Sequence, residues 1–224
     1  VAISGGVDSA VSAFLLNQEG YDITGVFIKT WQPDYIECTW KQDRLDAMRV
    51  CAQLDIPFVT LDLESEYKRY VIDYLLDEYK NNRVPNPDIF CNRYIKFGAF
   101  YDYAVVNGAD YIATGHYAQI QDGKLICAKD KNKDQTYFLY QVKKQVLEKT
   151  FFPIGHLEKD NVRDIAKKNN LYVADKKDSQ GICMLGDISI KDFLKRELDL
   201  QPGNVINIDG EIIGKHDGVQ LYTI

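Results

Sequence analysis

"VAISGGVDSAVSAFLL", Val1–Leu16, runs a short apolar strand straight into two glycines, an aspartate and serines before a helical pattern begins. A glycine pair at such a junction lets the backbone turn sharply and gathers main-chain N–H groups at the positive end of the helix, where an anion is well placed. The stretch predicts a strand over Val1–Ser4, a phosphate-binding loop, and a helix over Ser9–Glu19 closed by Gly20.

Outward from this loop, strand and helix patterns alternate. "ITGVFIKTW" reads as a strand and "KQDRLDAMRVCAQLD" as a helix with Leu45, Met48, Val50, Cys51 and Leu54 at its apolar positions; "PFVTLDL" is the next strand. "ESEYKRYVIDYLLDEYKNN" spaces Tyr67, Tyr70, Val71, Tyr74, Leu75 and Tyr79 as the packed face of a helix. Alternation of this kind predicts an α/β fold, a Rossmann-like, doubly wound parallel sheet covered by helices on both faces.

The prolines around Asn86 make "VPNPD" a loop, with a helix from near Ile89 or Cys91 to about Asn107, and "ADYIATGHYA" is the fourth strand. Ligands of doubly wound sheets collect beyond the carboxyl ends of the strands, so Gly5, Gly6, Gly115 and His116 are expected to face one crevice. A hairpin turning at Asp122–Gly123, a helix in "EKDNVRDIAKKNN" and a glycine-punctuated loop in "KKDSQGICMLGD" follow. After the helix "SIKDFLKREL" the pattern from Pro202 alternates apolar and polar around Asp209–Gly210, as in an antiparallel hairpin. The expected organisation is a catalytic domain over 1–186 and the start of a β-rich module over 187–224, too small to bury a core alone.

Composition narrows the class. The chain has 224 residues with 46% hydrophobic content, enough for a full core, and no stretch approaches the roughly 20 apolar residues that span a bilayer. With no signal-like segment ahead of Val1, the expectation is a cytoplasmic protein with no membrane partner. Five cysteines, widely spread and without a C-x-x-C pair, suggest neither a disulfide framework nor a zinc finger. A net charge of −6 argues against sequence-blind nucleic-acid binding, while lysines clustered at 129–133, 143–144, 167–168 and 176–177 read as solvated faces or a local basic patch.

The chemistry concentrates in three places. "SGGVDS" is neither a Walker A loop nor G-x-G-x-x-G, yet the N–H groups around Gly5, Gly6 and Val7 and the hydroxyls of Ser4 and Ser9 offer donors to a pyrophosphate. Asp8 either holds a magnesium ion or caps the helix. Cys38, Cys51 and Cys127 read as small buried hydrophobes. Cys91 lies at a predicted helix start near Arg93 and Lys96, with Asp88 as a proton carrier, and Cys183 lies in a glycine-rich loop after Lys176 and Lys177. Asp88, Cys91 and Cys183 together also suit an iron–sulfur cluster, the lesser reading. His116 is either a hydrogen-bonded structural residue or a ligand contact, and His156 and His216 are turn or surface residues.

The hexapeptide resembles the pyrophosphate-binding loop of the ATP pyrophosphatases, which activate a carbonyl oxygen by adenylation. "PNPDIFCNRYIKF", "ATGHYA", "KDQTYFL", "KDSQGIC" and "GKHDGVQLYT", in this order behind "SGGVDS", further resemble the tRNA-specific 2-thiouridylase family across essentially the whole chain. The resemblance implies that Ala2, Ile3, Ser4, Gly5, Gly6, Val7, Asp8 and Ser9 bind ATP, used with Mg2+, helped by Ile28 and Gly115. It implies that Asn86, Pro87 and Asp88 meet the target uridine, with Asp88 as general acid or base. Cys183 would carry a persulfide, Cys91 would be its partner thiol, and His116, Lys133, Asp134 and Gln135 would touch tRNA.

The implied substrate is the wobble uridine of lysine, glutamate and glutamine tRNAs. Its O2 is adenylated, pyrophosphate leaves, and sulfur supplied by a cysteine desulfurase or relay protein replaces O2 as AMP departs. Whether sulfide is freed or a Cys91–Cys183 disulfide forms stays open at this level. Ile28 and Met184 depart from the residues common in the family, and the sequence stops at "YTI", where the family continues into a C-terminal β-barrel. An amide-forming adenylating synthetase would share the loop but has no use for Cys91 and Cys183; a non-catalytic nucleotide-binding module leaves "VPNPDIFC" and "KDSQGIC" unexplained.

Overall fold

The structure, a computed structural model, describes residues 1–35, 40–177 and 189–222. The first chain segment, β1 (Gly25–Lys29) and β2 (Phe58–Asp62) lie side by side: β1 and β2 pair in parallel from Gly25↔Phe58 to Lys29↔Asp62, and Ala2 bridges Val26, also in parallel. On the other side the Ala2 N–H donates to the Ala113 carbonyl of β3 (Ile112–Ala113), and β3 pairs in parallel with β6 (Thr150–Phe151). Counting the first segment as a strand, the order across the sheet is third, second, first, fourth, fifth. The chain thus winds one way from its first strand and the other way from β3, which is the doubly wound arrangement expected, and it places a topological switch point between residues 1–4 and β3.

Helix α1 (Val7–Gln18) buries Val7, Ala10, Val11, Ala13 and Leu16. Helix α2 (Trp40–Gln53) buries Val50 and Cys51 as its apolar pattern predicts, but its inward face is rotated to take in Asp46 and Ala47, and Leu45 and Met48 are exposed. The reason is ionic, because Asp46 accepts from Lys176 Nζ at 2.7 Å and from Gln42 Nε2 at 2.7 Å. A helical stretch over residues 64–80, here α3, buries Tyr67, Val71, Leu75 and Tyr79 as expected, and its turn Lys68–Ile72 is π-helical.

The next helix, α4, covers residues 87–106 and begins earlier than the prolines suggested. Pro87 occupies its first turn, where a fixed φ and a missing N–H cost nothing, and the Asn86 side chain accepts from the Asp88 N–H at 3.1 Å and the Ile89 N–H at 3.4 Å. Cys91 is therefore a full turn inside the helix, at the start of a π-helical run over Cys91–Ala99. The fourth strand is likewise shorter than "ADYIATGHYA", because the last ladder bond is Thr114 N–H to the Phe151 carbonyl and Gly115 leaves the sheet.

Beyond β3 come a hairpin of β4 (Ala118–Gln121) and β5 (Lys124–Cys127), a 3-10 turn at Thr136–Leu139, and helix α5 (Lys159–Lys168). The hairpin turns at Asp122 and Gly123, both with positive φ, as an Asp-Gly pair permits. Cys127, expected to be buried, is exposed on the solvent side of this hairpin. Helix α6 (Ile190–Glu197) packs Phe193 and Leu194 into the main core, and β7 (Gly203–Ile206) pairs antiparallel with β8 (Ile212–His216) around the predicted turn. Among the described residues no helix is long and apolar enough to cross a membrane.

Candidate active site

At the switch point the sheet opens into a cleft of about 240 Å³ lined by Ser4, Gly6, Val7, Asp8, Gly115, Tyr117, Lys133, Gln135 and Lys177. Its floor is a close backbone approach. A Cβ on Gly115 would stand 2.8 Å from the Ser9 nitrogen and 2.9 Å from the Asp8 carbonyl carbon, so only glycine lets the chain leaving β3 lie against the first turn of α1. Gly5, at φ +75°, needs the same freedom, since a Cβ there would run into the Asp43 carbonyl.

Ser4 and Ser9 tie the loop together: the Ser4 N–H donates to Ser9 Oγ at 3.2 Å and the Ser9 hydroxyl donates to the Gly6 carbonyl at 3.1 Å. No side chain caps α1, whose N-cap is Gly6, so its first-turn amides point into the cleft as donors for an anion. Lys133, singled out by the resemblance as a tRNA contact, and Lys177, which in the sequence belongs to an ordinary lysine pair, add positive charge to the same walls. This donor set fits the phosphates of a nucleotide.

Asp8 does not cap the helix. Both of its oxygens accept from Lys159 Nζ, at 2.8 and 2.9 Å, and Oδ1 also accepts from the Tyr117 hydroxyl at 2.9 Å. A magnesium ion would have to take a carboxylate that an ammonium already grips on both oxygens, and among the described residues no group of three metal-ligating side chains exists. Lys159 lies in no motif, and Tyr117, although it falls within "ATGHYA", has no role implied there. The one signal is a lysine at the first position of α5, where the helix dipole disfavours a cation unless an acid elsewhere holds it.

The remaining candidates separate into braces and reactive positions. Asp134 Oδ1 accepts from the Ala128 N–H at 2.9 Å and the Thr136 hydroxyl at 2.6 Å; burial works to raise its pKa, and these hydrogen bonds outweigh it and hold the carboxyl below its ordinary range. Gln135 clasps the backbone of Tyr117 through Oε1, at 3.0 Å, and through its own N–H, at 2.8 Å. Ala2, Ile3 and Ile28 belong to the sheet core under the loop, and Ile28 is not on the cleft wall. Pro87 and the Asn86 oxygen serve the start of α4.

His116 is buried, with Nδ1 2.7 Å from Thr114 Oγ1 and Nε2 3.4 Å from Lys96 Nζ. An ammonium can only donate, so Nε2 accepts and the proton is on Nδ1. Burial, and secondarily the Lys96 charge, hold this imidazole neutral with a pKa well below 6.5. Cys91 is fully buried in the core that also holds Tyr67 and Ile95, away from the exposed helix start that the sequence suggested. Nearby, Asp88 Oδ1 and Asn92 Oδ1, four residues apart, are buried without a hydrogen-bond partner among the described residues. Burial pushes the Cys51 thiol up to about 11, in keeping with an inert core residue. Cys38 and Cys183 lie outside the described residues, as does the cluster reading that needs Cys183.

An anion cleft at the switch point of a parallel sheet, built from a strand, a glycine loop and a helix N-terminus, defines the class of nucleotide-binding α/β domains. Residues 1–187 match the tRNA methyl transferase HUP domain and residues 191–224 the tRNA methyl transferase PRC-barrel domain. The chain is 53% identical to the tRNA-specific 2-thiouridylase MnmA 1 of Geobacillus kaustophilus and 49% identical to the tRNA-specific 2-thiouridylase MnmA of Oceanobacillus iheyensis, covering 100% of this chain in both cases. It belongs to the family of the tRNA methyl transferase HUP domain, and it spans 62% of the length of the two 2-thiouridylases that it resembles. In fold it is similar to an NMN synthetase from Francisella tularensis, with a TM-score of 0.51 and 17% identity over 87% of this chain and 70% of that one.

Two outcomes follow from the site. Replacing Lys159 by Met should cost about 2 kcal/mol, because it strands the Asp8 carboxylate, and adding Asp8→Asn should restore part of the loss; a double-mutant cycle in urea measures both. For His116 the unfolded state binds the proton that the folded state refuses. Its contribution to stability should be complete above pH 6.5 and fall by about 1.4 kcal/mol per pH unit below that, down to the folded-state pKa. Unfolding titrations from about pH 8 to about pH 5 should show this slope, and His116→Asn should remove it.

Proposed function

We propose that this chain carries the catalytic part of a tRNA 2-thiouridylase, which uses ATP to exchange O2 of the wobble uridine in lysine, glutamate and glutamine tRNAs for sulfur. The observation that carries this reading is the cleft itself, where an uncapped helix end, Gly115, Lys133 and Lys177 converge. Lys177 matters for a second reason. Cys183 follows it by six positions in the sequence, a length of chain that can reach no further than about 20 Å from Lys177. Lys176 anchors the near end of that length through Asp43 and Asp46, each at 2.7 Å.

In this reading, uridine O2 attacks the α-phosphorus of ATP, and the first-turn amides of α1 with Lys133 and Lys177 take up the charge of the departing pyrophosphate. Magnesium arrives with the nucleotide's phosphates and not on a ready-made protein site. The terminal sulfur of a Cys183 persulfide, charged by a cysteine desulfurase or relay protein, becomes bonded to C2, and AMP leaves with the former O2. Attack of the Cys91 thiolate on Cys183 Sγ breaks the S–S bond, leaves the thiocarbonyl on the base and closes a Cys91–Cys183 disulfide. An external thiol then reduces that disulfide. Asp88 is the proton carrier, and its buried Oδ1, without a hydrogen-bond partner among the described residues, supports the assignment, since a substrate imide or hydroxyl would supply the donor. His116, Asp134 and Gln135 act on tRNA by shaping the wall that holds Lys133.

The matched domain descriptions name methyl transfer and the curated relatives sulfur transfer, and one reaction separates the two. With ATP, magnesium, a persulfide source and unmodified lysine tRNA, the product should carry sulfur in place of oxygen, with no added methyl group, by mass spectrometry of the nucleosides. Cys183→Ser should abolish it while nucleotide binding persists; thiolation by that variant would refute the role of Cys183 as sulfur carrier. Cys91 should resist alkylation in the protein alone, with exposed Cys127 labelled first as an internal control, and become reactive once tRNA and ATP are bound. Rapid labelling of Cys91 without tRNA would contradict its burial.

A further inference from the structure

The 3-10 turn Thr136–Leu139 leaves two large rings in solvent: Tyr137 is 67% exposed and Tyr140 61% exposed. Three residues apart in such a turn, side chains fall on one side, and here the ring centroids are 6.0 Å apart with a 38° tilt. Their footing is rigid. Leu139 is fully buried, the Phe138 carbonyl accepts from Asn92 Nδ2 at 3.1 Å, and Gln135 at the head of the turn is bonded to Tyr117 on the cleft wall.

Polar and cationic groups continue the surface. Gln141 donates to the Tyr140 hydroxyl at 2.8 Å and accepts from Arg93 at 3.0 Å; the Arg93 guanidinium lies 4.8 Å above the ring of Tyr94, which stacks on Tyr70. Arg69 covers Tyr70 in turn, at 5.1 Å. Tyrosine and arginine also occur at protein interfaces; what favours RNA here is that the rings stand free beside the cleft wall with guanidinium groups along their edge. The patch lies beside the helix that begins at Asn86 and Asp88, and ring with guanidinium is the pairing that grips unstacked bases and their phosphates.

We propose that Tyr137 and Tyr140, flanked by Arg93, form a stacking platform for unpaired RNA bases that neighbour the base delivered to the cleft. The proposal rests on the tRNA reading above and names the surface that holds the loop open while its target is out of the stack.

Equilibrium binding of a fluorescent heptanucleotide with the sequence of an anticodon loop, against a duplex RNA of the same length, tests it. Tyr137→Ala and Tyr140→Ala should each weaken loop binding about 5- to 100-fold, Phe at either position should stay within about twofold, and thermal stability should not change. The salt dependence of loop binding should keep its slope in these variants, because stacking releases no counterions, whereas Lys133→Ala should flatten it. The platform is overturned if the double alanine variant binds the loop as tightly as the parent, if duplex binding falls in parallel, or if only binding of a sulfur-donating protein is lost. Loop binding that depends on the tyrosines without any thiolated product would leave the platform standing and refute the sulfur-transfer reading instead.

Discussion

Everything at the functional end of this molecule depends on one close approach, Gly115 against the first turn of α1. The sheet's two arms diverge between the first strand and β3, and they would leave a wide gap if a side chain propped them apart. With no Cβ in the way, the chain leaving β3 comes within van der Waals reach of Asp8 and Ser9, and the gap narrows to a cleft of a size that fits phosphates. The same approach brings Tyr117, two residues on, to the Asp8 carboxylate.

Around that contact the charges are arranged to be mutually restraining. Asp8 beside uncapped amides would by itself repel an anion, and Lys159 beside a helix N-terminus would by itself be misplaced. Held together across the cleft floor, each cancels the other's fault, and the surrounding lysines are left to set the sign of the field. Because Lys159 comes from α5 and Asp8 from α1, the pair also couples the two helices that flank the first strand, and the apolar contacts of Val7, Val11, Val162 and Ala166 run beneath it.

The fold is largely legible in the primary structure, because period and punctuation carry it: the hairpin at Asp122–Gly123, the alternation of strands and helices and the glycine loop are all local signals. What is not legible is what tertiary pairing decides. The inward face of α2 turns on Asp46 meeting Lys176, a contact between residues 130 positions apart. Cys91 reads as an accessible residue at a helix start, and it is buried because Asn86 and Pro87 begin the helix one turn sooner. Motif resemblance singles out Lys133, Asp134 and Gln135 as tRNA contacts without saying how they are arranged; in the structure Lys133 and Gln135 line the cleft, and the bonds of Gln135 to Tyr117 and of Asp134 to Ala128 and Thr136 brace its wall. Lys159 has no motif at all and emerges from geometry alone.

The wide turns of α4 carry a consequence of their own. They follow Cys91, so the proline-started, asparagine-capped first turn is joined to the body of the helix through main-chain bonds that reach back five residues where an ordinary helix reaches four. Such a run is wider than an ordinary helical turn and shifts the angular position of every side chain after it, so the face that residues 100–106 turn to the core is not the one a regular 3.6-residue spacing counted from Asn86 would give.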